Sequence, residues 1–275
     1  MPASLDQIVA ATRRRIAETK PEADLRLLER QAGSHVPRGF RRGLESRSRN
    51  GIAVIAELKR ASPSRGLIRS DFDSARLAQE LEAAGAAALS VLTDEKFFQG
   101  SLENLRRASA STKLPCLRKD FIVDEFQLLE ARANGADAVL LIVAALSPEE
   151  LKLLAGRACE YGLDVLCEVH DAEELRRAED VGCTLIGVNS RDLRTFTVDL
   201  ETAFRLADSI PKPALRVAES GINNGTDIAR LRAAGYHAFL IGESLMKAKS
   251  PGEMLKGLLA EALRESHALI AADQP

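Results

Sequence analysis

The sequence predicts an α/β fold, a (β/α)8 TIM barrel with an N-terminal helical extension, and three observations predict it. An alanine-rich helical end, a glycine and a short apolar run recur in LEAAGAAALSVL, ARANGADAVLLIV, AEDVGCTLIGV and LRAAGYHAFLIG, with ACEYGLDVLCEV as a further copy. Eight apolar runs fall at about residues 52–58, 87–92, 114–118, 137–143, 163–169, 184–189, 215–219 and 238–242. Helical patterns separate the runs, which calls for parallel strands joined by right-handed crossovers, and eight such units close into a barrel.

The elements carry local start and stop signals. Residues 4–20 form a helical pattern and a second begins at Asp24; so short a piece has little core of its own. Residues 1–50 are therefore expected to pack on a single barrel domain spanning 1–275, with the basic stretch GSHVPRGFRRGLESRSRNG as a solvated connection. Gly85, Gly135, Gly162, Gly182 and Gly235 each suit the left-handed position that ends a helix and releases the chain into a strand. Ser147-Pro148-Glu149-Glu150 and Ser250-Pro251-Gly252-Glu253 read as capping boxes, and Asp171 with Glu174 as a weaker one. An open doubly wound sheet is the alternative fold. Against it, no GxGxxG follows the first run and no acidic residue is placed to read a ribose.

Composition narrows the function classes. With 275 residues, 45% hydrophobic and 28% charged, and a formal net charge of −2, the chain reads as an ordinary globular protein with no nucleic-acid or membrane partner. No apolar run approaches the roughly 20 residues of a membrane helix, and the first charges follow apolar residues, the reverse of a signal peptide. A cytoplasmic location is expected. Cys116, Cys159, Cys167 and Cys183 show no CxxC spacing, and three of them sit in apolar stretches, so small buried hydrophobes are expected in preference to disulfides or zinc ligands. His35, His170, His237 and His267 lack paired-ligand spacing and read as surface or locally bonded imidazoles. No metal is expected.

Charge collects at the strand ends. Alternate residues of a barrel strand point inward, and active sites lie where the strands end. The first strand ends in Glu57 and Lys59, the third in Lys119, the fifth in Glu168, the sixth in Asn189 and Arg191, and the seventh in Glu219. Acids, bases and an amide thus converge on one rim; a structural ion-pair network is the bland alternative. After the last two strands, AESGINNGTD and LIGESLMK offer Ser220, Gly221, Gly242 and Glu243, where a phosphate can approach the main chain. Ser62 and Ser64 of RASPSRG add donors. A small phosphorylated substrate is expected.

Taken together, IAELKRASPSRG, LRKDFIVDEFQ, DVLCEVH, GVNSRDL, VAESGI and FLIGESLM resemble the indole-3-glycerol phosphate synthase family over about residues 5–265. SVLTDEKFFQGS resembles that family's mobile loop. The resemblance implies the monofunctional enzyme of tryptophan biosynthesis: ring closure of 1-(2-carboxyphenylamino)-1-deoxyribulose 5-phosphate, with loss of carbon dioxide and water, and no cofactor. It implies Lys119 as the general acid of ring closure and Glu168 and Glu57 as acid/base residues of the later steps. Lys59 would meet the substrate carboxylate, and Asn189, Arg191 and Glu219 would orient the substrate. Ser62, Ser220, Gly221, Gly242 and Glu243 match phosphate-site positions. Phe98, Phe121, Leu140 and Leu193 match an apolar pocket for the anthranilate ring. Some members carry serine where Glu243 stands, so its carboxylate is expected to point away from the phosphate. The resemblance also allows transient contact with other tryptophan-pathway enzymes. Two rivals remain: a barrel enzyme using Lys119 as a Schiff-base nucleophile, and a non-catalytic barrel that binds phosphoanions.

Overall fold

The computed structural model describes residues 4–192 and 195–272. Eight parallel strands close into a barrel: β1 (Ala53–Leu58), β2 (Ala88–Leu92), β3 (Cys116–Lys119), β4 (Ala138–Ile142), β5 (Asp164–Val169), β6 (Leu185–Asn189), β7 (Leu215–Glu219) and β8 (Ala238–Ile241). Each lies within an expected apolar run or one residue beyond it, because a strand covered on both faces has no polar side to interrupt the run. The glycines at 85, 135, 162, 182 and 235 all have positive φ, between 67° and 97°, as helix-ending positions require.

Strand register organises the interior. Glu57 pairs with Ser90, Ser90 with Leu117, and Glu168 with Gly187. This stagger tilts the strands, so side chains at one height come from alternate strands. Following it around the barrel brings Glu57, Lys119, Glu168 and Glu219 of the odd strands into a single layer. Beneath lie Ser90, Leu140, Gly187 and Leu240 of the even strands, and then Ile55, Leu117, Leu166 and Val217. Each fully buried leucine or isoleucine here contributes roughly 1.5–3 kcal/mol. The charged layer therefore rests on a packed apolar floor.

The described residues before β1 form three α-helices. α1 (Leu5–Thr19) starts at the Ser4 capping box and α2 (Leu25–Ser34) at Asp24, as the patterns indicate. The third, α3 (Phe40–Asn50), replaces the expected solvated connection. Its Phe40 and Leu44, one turn apart, are fully buried and belong to the barrel-interior cluster, so one face of an otherwise polar helix closes the barrel's lower end. Immediately after β1, Ala61–Ser62 and Gly66–Leu67 pair as a small antiparallel hairpin, with Gly66 at φ 63° in its turn. A second difference concerns the cysteines. Cys116 is a free buried thiol, but Cys167 and Cys183 are joined as a disulfide, sulfur to sulfur at 2.09 Å. Spacing along the chain carried no hint of it, since the two meet only because β5 and β6 are neighbours. Among the described residues no helix is long and apolar enough to cross a membrane.

Candidate active site

A cavity of about 710 Å³ opens at the carboxyl ends of the strands, with the charged layer as its floor. Every expected site residue lines it except Leu193, which lies outside the described residues. At the centre, Lys119 Nζ lies 3.2 Å from Glu219 Oε2, 3.4 Å from Glu168 Oε2 and 3.8 Å from Glu57 Oε2. Lys59 Nζ approaches the other oxygen of Glu57 at 2.7 Å. One lysine thus serves three buried carboxylates.

Local sequence fixes these side chains. Arg118, of opposite parity to Lys119, points out of the barrel and is fully buried, bonded to Asp120 at 2.8 Å and to the carbonyl of Gln127 at 2.7 Å. That anchorage pins the end of β3 and with it Lys119. Two glycines make room for carboxylates. A Cβ at Gly187 would stand 2.1 Å from Glu219 Oε1, and one at Gly242 would stand 2.5 Å from Glu57 Oε1. Neither position could carry any other residue without displacing an acid.

The electrostatics divide the acids. Burial opposes ionisation of Glu57, yet Lys59 and Lys119 overcome it and hold the carboxyl below its ordinary range. Glu168 is likewise lowered against burial, by Lys119 and then His170. Glu219 goes the other way: burial, joined by the Glu168 charge against the pull of Lys119, pushes it up to about 8. Burial tends to neutralise Lys119, but Glu219, Glu168 and Glu57 outweigh it and raise its pKa, so the ammonium persists at neutral pH.

Around this floor the wall changes character. Phe98, from the short helix Glu95–Phe98 after β2, and Phe121 stand with ring centroids 6.2 Å apart, and Leu140 sits one layer below the acids. They make an apolar side able to receive an aromatic ring. On the opposite side are Ser62, Ser220, Gly221 and Gly242. Ser220 and Gly221 are consecutive left-handed residues, φ 62° and 80°, a conformation that costs a non-glycine residue about 1 kcal/mol. Arg191 donates from its amide to Asn189 Oδ1 at 3.0 Å, tying the loop after β6 to the strand end. The Glu243 carboxylate does not leave the cavity wall: it lies 2.5 Å from Lys247, 3.0 Å from Arg65 and 3.7 Å from Arg191.

Several lining residues escaped the sequence reading. Leu5 and Ile8 reach the cavity from α1, and Phe196, Val198 and Leu200 from the loop after β6. The apolar face of the Ser4–Lys20 pattern was a signal for the first two; the loop residues offered none. His170 is the next inward position after Glu168, and the parity that found Glu57 and Lys59 could have found it.

The family description "Indole-3-glycerol phosphate synthase" matches residues 5–258. An indole-3-glycerol phosphate synthase of Koribacter versatilis is 60% identical over 259 residues, covering 94% of this chain and all of the relative. Another, from Chlorobium luteolum, is 51% identical and covers 89% of this chain and 94% of its own length. In structure, a thiamine phosphate pyrophosphorylase from Pyrococcus furiosus superposes with a TM-score of 0.59 at 18% identity, over 80% of this chain and 99% of the other, which attests the barrel fold alone. With the match running through every strand that supplies the charged layer, the chain belongs to the indole-3-glycerol phosphate synthase family.

Proposed function

We propose that the cavity carries out the reaction of that family, closing 1-(2-carboxyphenylamino)-1-deoxyribulose 5-phosphate to indole-3-glycerol phosphate, with residues 1–50 part of the same working unit. The observation that carries the assignment of roles is the charged layer: one persistent ammonium among three buried carboxylates of unequal proton affinity.

The chemistry needs that inequality. The ring carbon bearing the carboxylate attacks the ketone, forming a carbon–carbon bond while the carbonyl π pair moves onto oxygen. Lys119 stabilises the developing alkoxide and gives it a proton. Carbon dioxide then leaves, and the electron pair of the broken bond restores the aromatic ring. Loss of the new hydroxyl as water needs one acid and one base. Glu168 and Glu57, held ionised by their cations, suit the base, and Lys59 is placed to act on the substrate carboxylate or as the second acid. Asn189, Arg191 and Glu219 orient the substrate. The Phe98 and Phe121 side takes the anthranilate ring, and the Ser62, Ser220, Gly221, Gly242 and Glu243 side takes the phosphate, Glu243 through its amide.

The Schiff-base alternative is the weaker reading, because a nucleophilic lysine must shed its proton and three carboxylates hold this one on. A non-catalytic barrel would have no use for acids crowded about one cation. The test is direct: supplied with the carboxyphenylamino-deoxyribulose phosphate, the protein gives rise to indole fluorescence, and borohydride added during turnover traps no adduct on Lys119. A stable adduct, or no fluorescence, overturns the assignment.

A further inference from the structure

His170 lies outside the roles assigned above, and its surroundings are unusual for a strand-end imidazole. It follows β5 with the same inward parity as Glu168, and its side chain is 15% exposed. Glu174, in the first turn of the next helix (Ala172–Asp180), accepts the His170 backbone amide at 2.8 Å and faces Nδ1 at 2.9 Å. A carboxylate only accepts, so Nδ1 carries the hydrogen and the ring orientation is fixed. Nε2 then faces Glu168 Oε1 at 3.5 Å, buried and without a hydrogen-bond partner among the described residues. A bare lone pair aimed at a carboxylate would be repelled; an imidazolium is attracted.

We propose that His170, held by Glu174, is a positioning residue that keeps Glu168 ionised and aligned to accept a proton. The inference rests on the proposed reaction, with Glu168 as base. Two opposed supports flank Glu168: Lys119 on Oε2 at 3.4 Å from across the barrel, and His170 on Oε1 from its own strand. Lys119 has its own proton to give, and when it does so its charge is lost at the moment the base is needed. His170 is a cation that the ring closure does not consume. The charged groups facing the imidazole are Glu168 on its own strand, Glu174 on the following helix and Glu219 on β7. Those facing Glu168 are Lys119, His170 and Glu219, with the amide of Asn189. Burial works against the imidazolium, but Glu174 and then Glu168 outweigh it and raise the pKa of His170. Removal of the imidazolium therefore raises the proton affinity of Glu168 and moves the acid limb of the rate profile to higher pH.

The test compares full-length wild type, His170→Asn and Glu174→Gln, with kcat and KM measured from pH 5.5 to 9. His170→Asn should lose about tenfold in kcat at pH 6, with a smaller loss at pH 8.5 and KM changed by less than about threefold. Glu174→Gln, which keeps a hydrogen-bond acceptor but not the charge, should shift the limb in the same direction by less. An equal loss at all pH values, or an unmoved acid limb, overturns the proposal. NMR of the ring nitrogens in wild type without substrate supplies a second measure that needs neither turnover nor a folded variant. Nδ1 should stay protonated throughout, with both nitrogens protonated at pH 6.5; a neutral ring there overturns the proposal equally. Wild type that makes no indole product at all counts against the proposed reaction instead, so the two failures are separable.

Discussion

Both ends of the barrel bury charge, and they do it in opposite ways. At the lower end, Asp137 is surrounded by donors: the amide of Arg38 at 2.7 Å, its guanidinium at 2.9 Å, the amide of Cys116 at 2.7 Å and His35 Nε2 at 3.2 Å. Arg38 also reaches Ser109 and the Gly135 carbonyl, so the stretch before α3 is tied to the barrel by one saturated network. At the upper end Lys119 is divided among three acids, Lys59 reaches Glu57 alone, and Glu219 Oε1 has no hydrogen-bond partner among the described residues. A saturated cluster gains nothing by changing its protonation, whereas an undersupplied one sits close to such a change. The lower end stabilises; the upper end is arranged to move protons.

The comparison breaks most sharply at Lys119. Lys119→Met should lower kcat by about 1000-fold while KM moves by less than about fivefold, because a general acid acts in the transition state. The same substitution leaves three carboxylates with no common cation, so melting temperature should fall at pH 8 and recover toward pH 5, where the acids take protons. Steady-state kinetics with thermal melts at both pH values check this, and near-normal kcat would end the assignment.

Gly187→Ala asks whether the upper cluster depends on placement as much as on composition. Its new methyl would collide with Glu219 Oε1, which is already within 2.1 Å of the Cβ position, and no charged residue is altered. A displacement of about 1 Å in a catalytic group can cost about 100-fold. We expect a loss of that order in kcat/KM with only about 1–3 kcal/mol of destabilisation, as for overpacking elsewhere in cores. Wild-type kinetics would mean that Glu219 has no fixed place to keep.

Asp137→Asn is the mirror experiment. Breaking a buried, multiply bonded acid costs about 3–5 kcal/mol, and kcat per folded molecule should be unchanged. Burial opposes the charge on Asp137, but His35 and Arg38 hold its pKa below the ordinary carboxylate range. Its contribution is therefore complete above the unfolded value and is lost as pH falls through the lowered folded value. Urea melts should show a wide gap between wild type and variant at pH 7 that closes on acidification. A gap that is constant with pH would mean that Asp137 acts by shape alone.

How much of this was legible in the sequence follows from which forces are local. The eight strands were readable because burial on both faces writes an uninterrupted apolar run, and the inward parity of Glu57, Lys59 and Lys119 followed from strand geometry. That Glu57, Lys119, Glu168 and Glu219 share one height was not readable, since it depends on the stagger between strands that pair only in the closed barrel. Helix α3 was misread because just two of its side chains, Phe40 and Leu44, are buried and the intervening arginines dominate its composition. The hairpin after β1 and the Cys167–Cys183 pair depend on neighbours supplied by the fold. His170 was read as a surface or locally bonded imidazole, and only the second half describes its contact with Glu174; its other nitrogen, aimed at Glu168, was visible only in three dimensions.

Glu243 sharpens the comparison at its margin, where the cavity meets solvent. The sequence reading turned its carboxylate away from the phosphate, yet that carboxylate rests among Arg65, Arg191 and Lys247, the cations on the same wall. Burial opposes its charge, and Lys247 followed by Arg65 nevertheless holds its pKa low. A phosphate arriving there must compete with a resident anion. Exposed pairs of this kind are worth about 0–1 kcal/mol each, so the competition is mild. Glu243→Gln, which preserves the backbone amide and nearly the volume, should lower KM about threefold and tighten inorganic phosphate binding by a similar factor, with kcat unchanged. Calorimetry with phosphate alone separates this from any effect on the ring-closing chemistry. An unchanged phosphate affinity would place the carboxylate outside the anion's reach, as the sequence first suggested, and a weakened one would mean that Glu243 holds its cations in place for the phosphate.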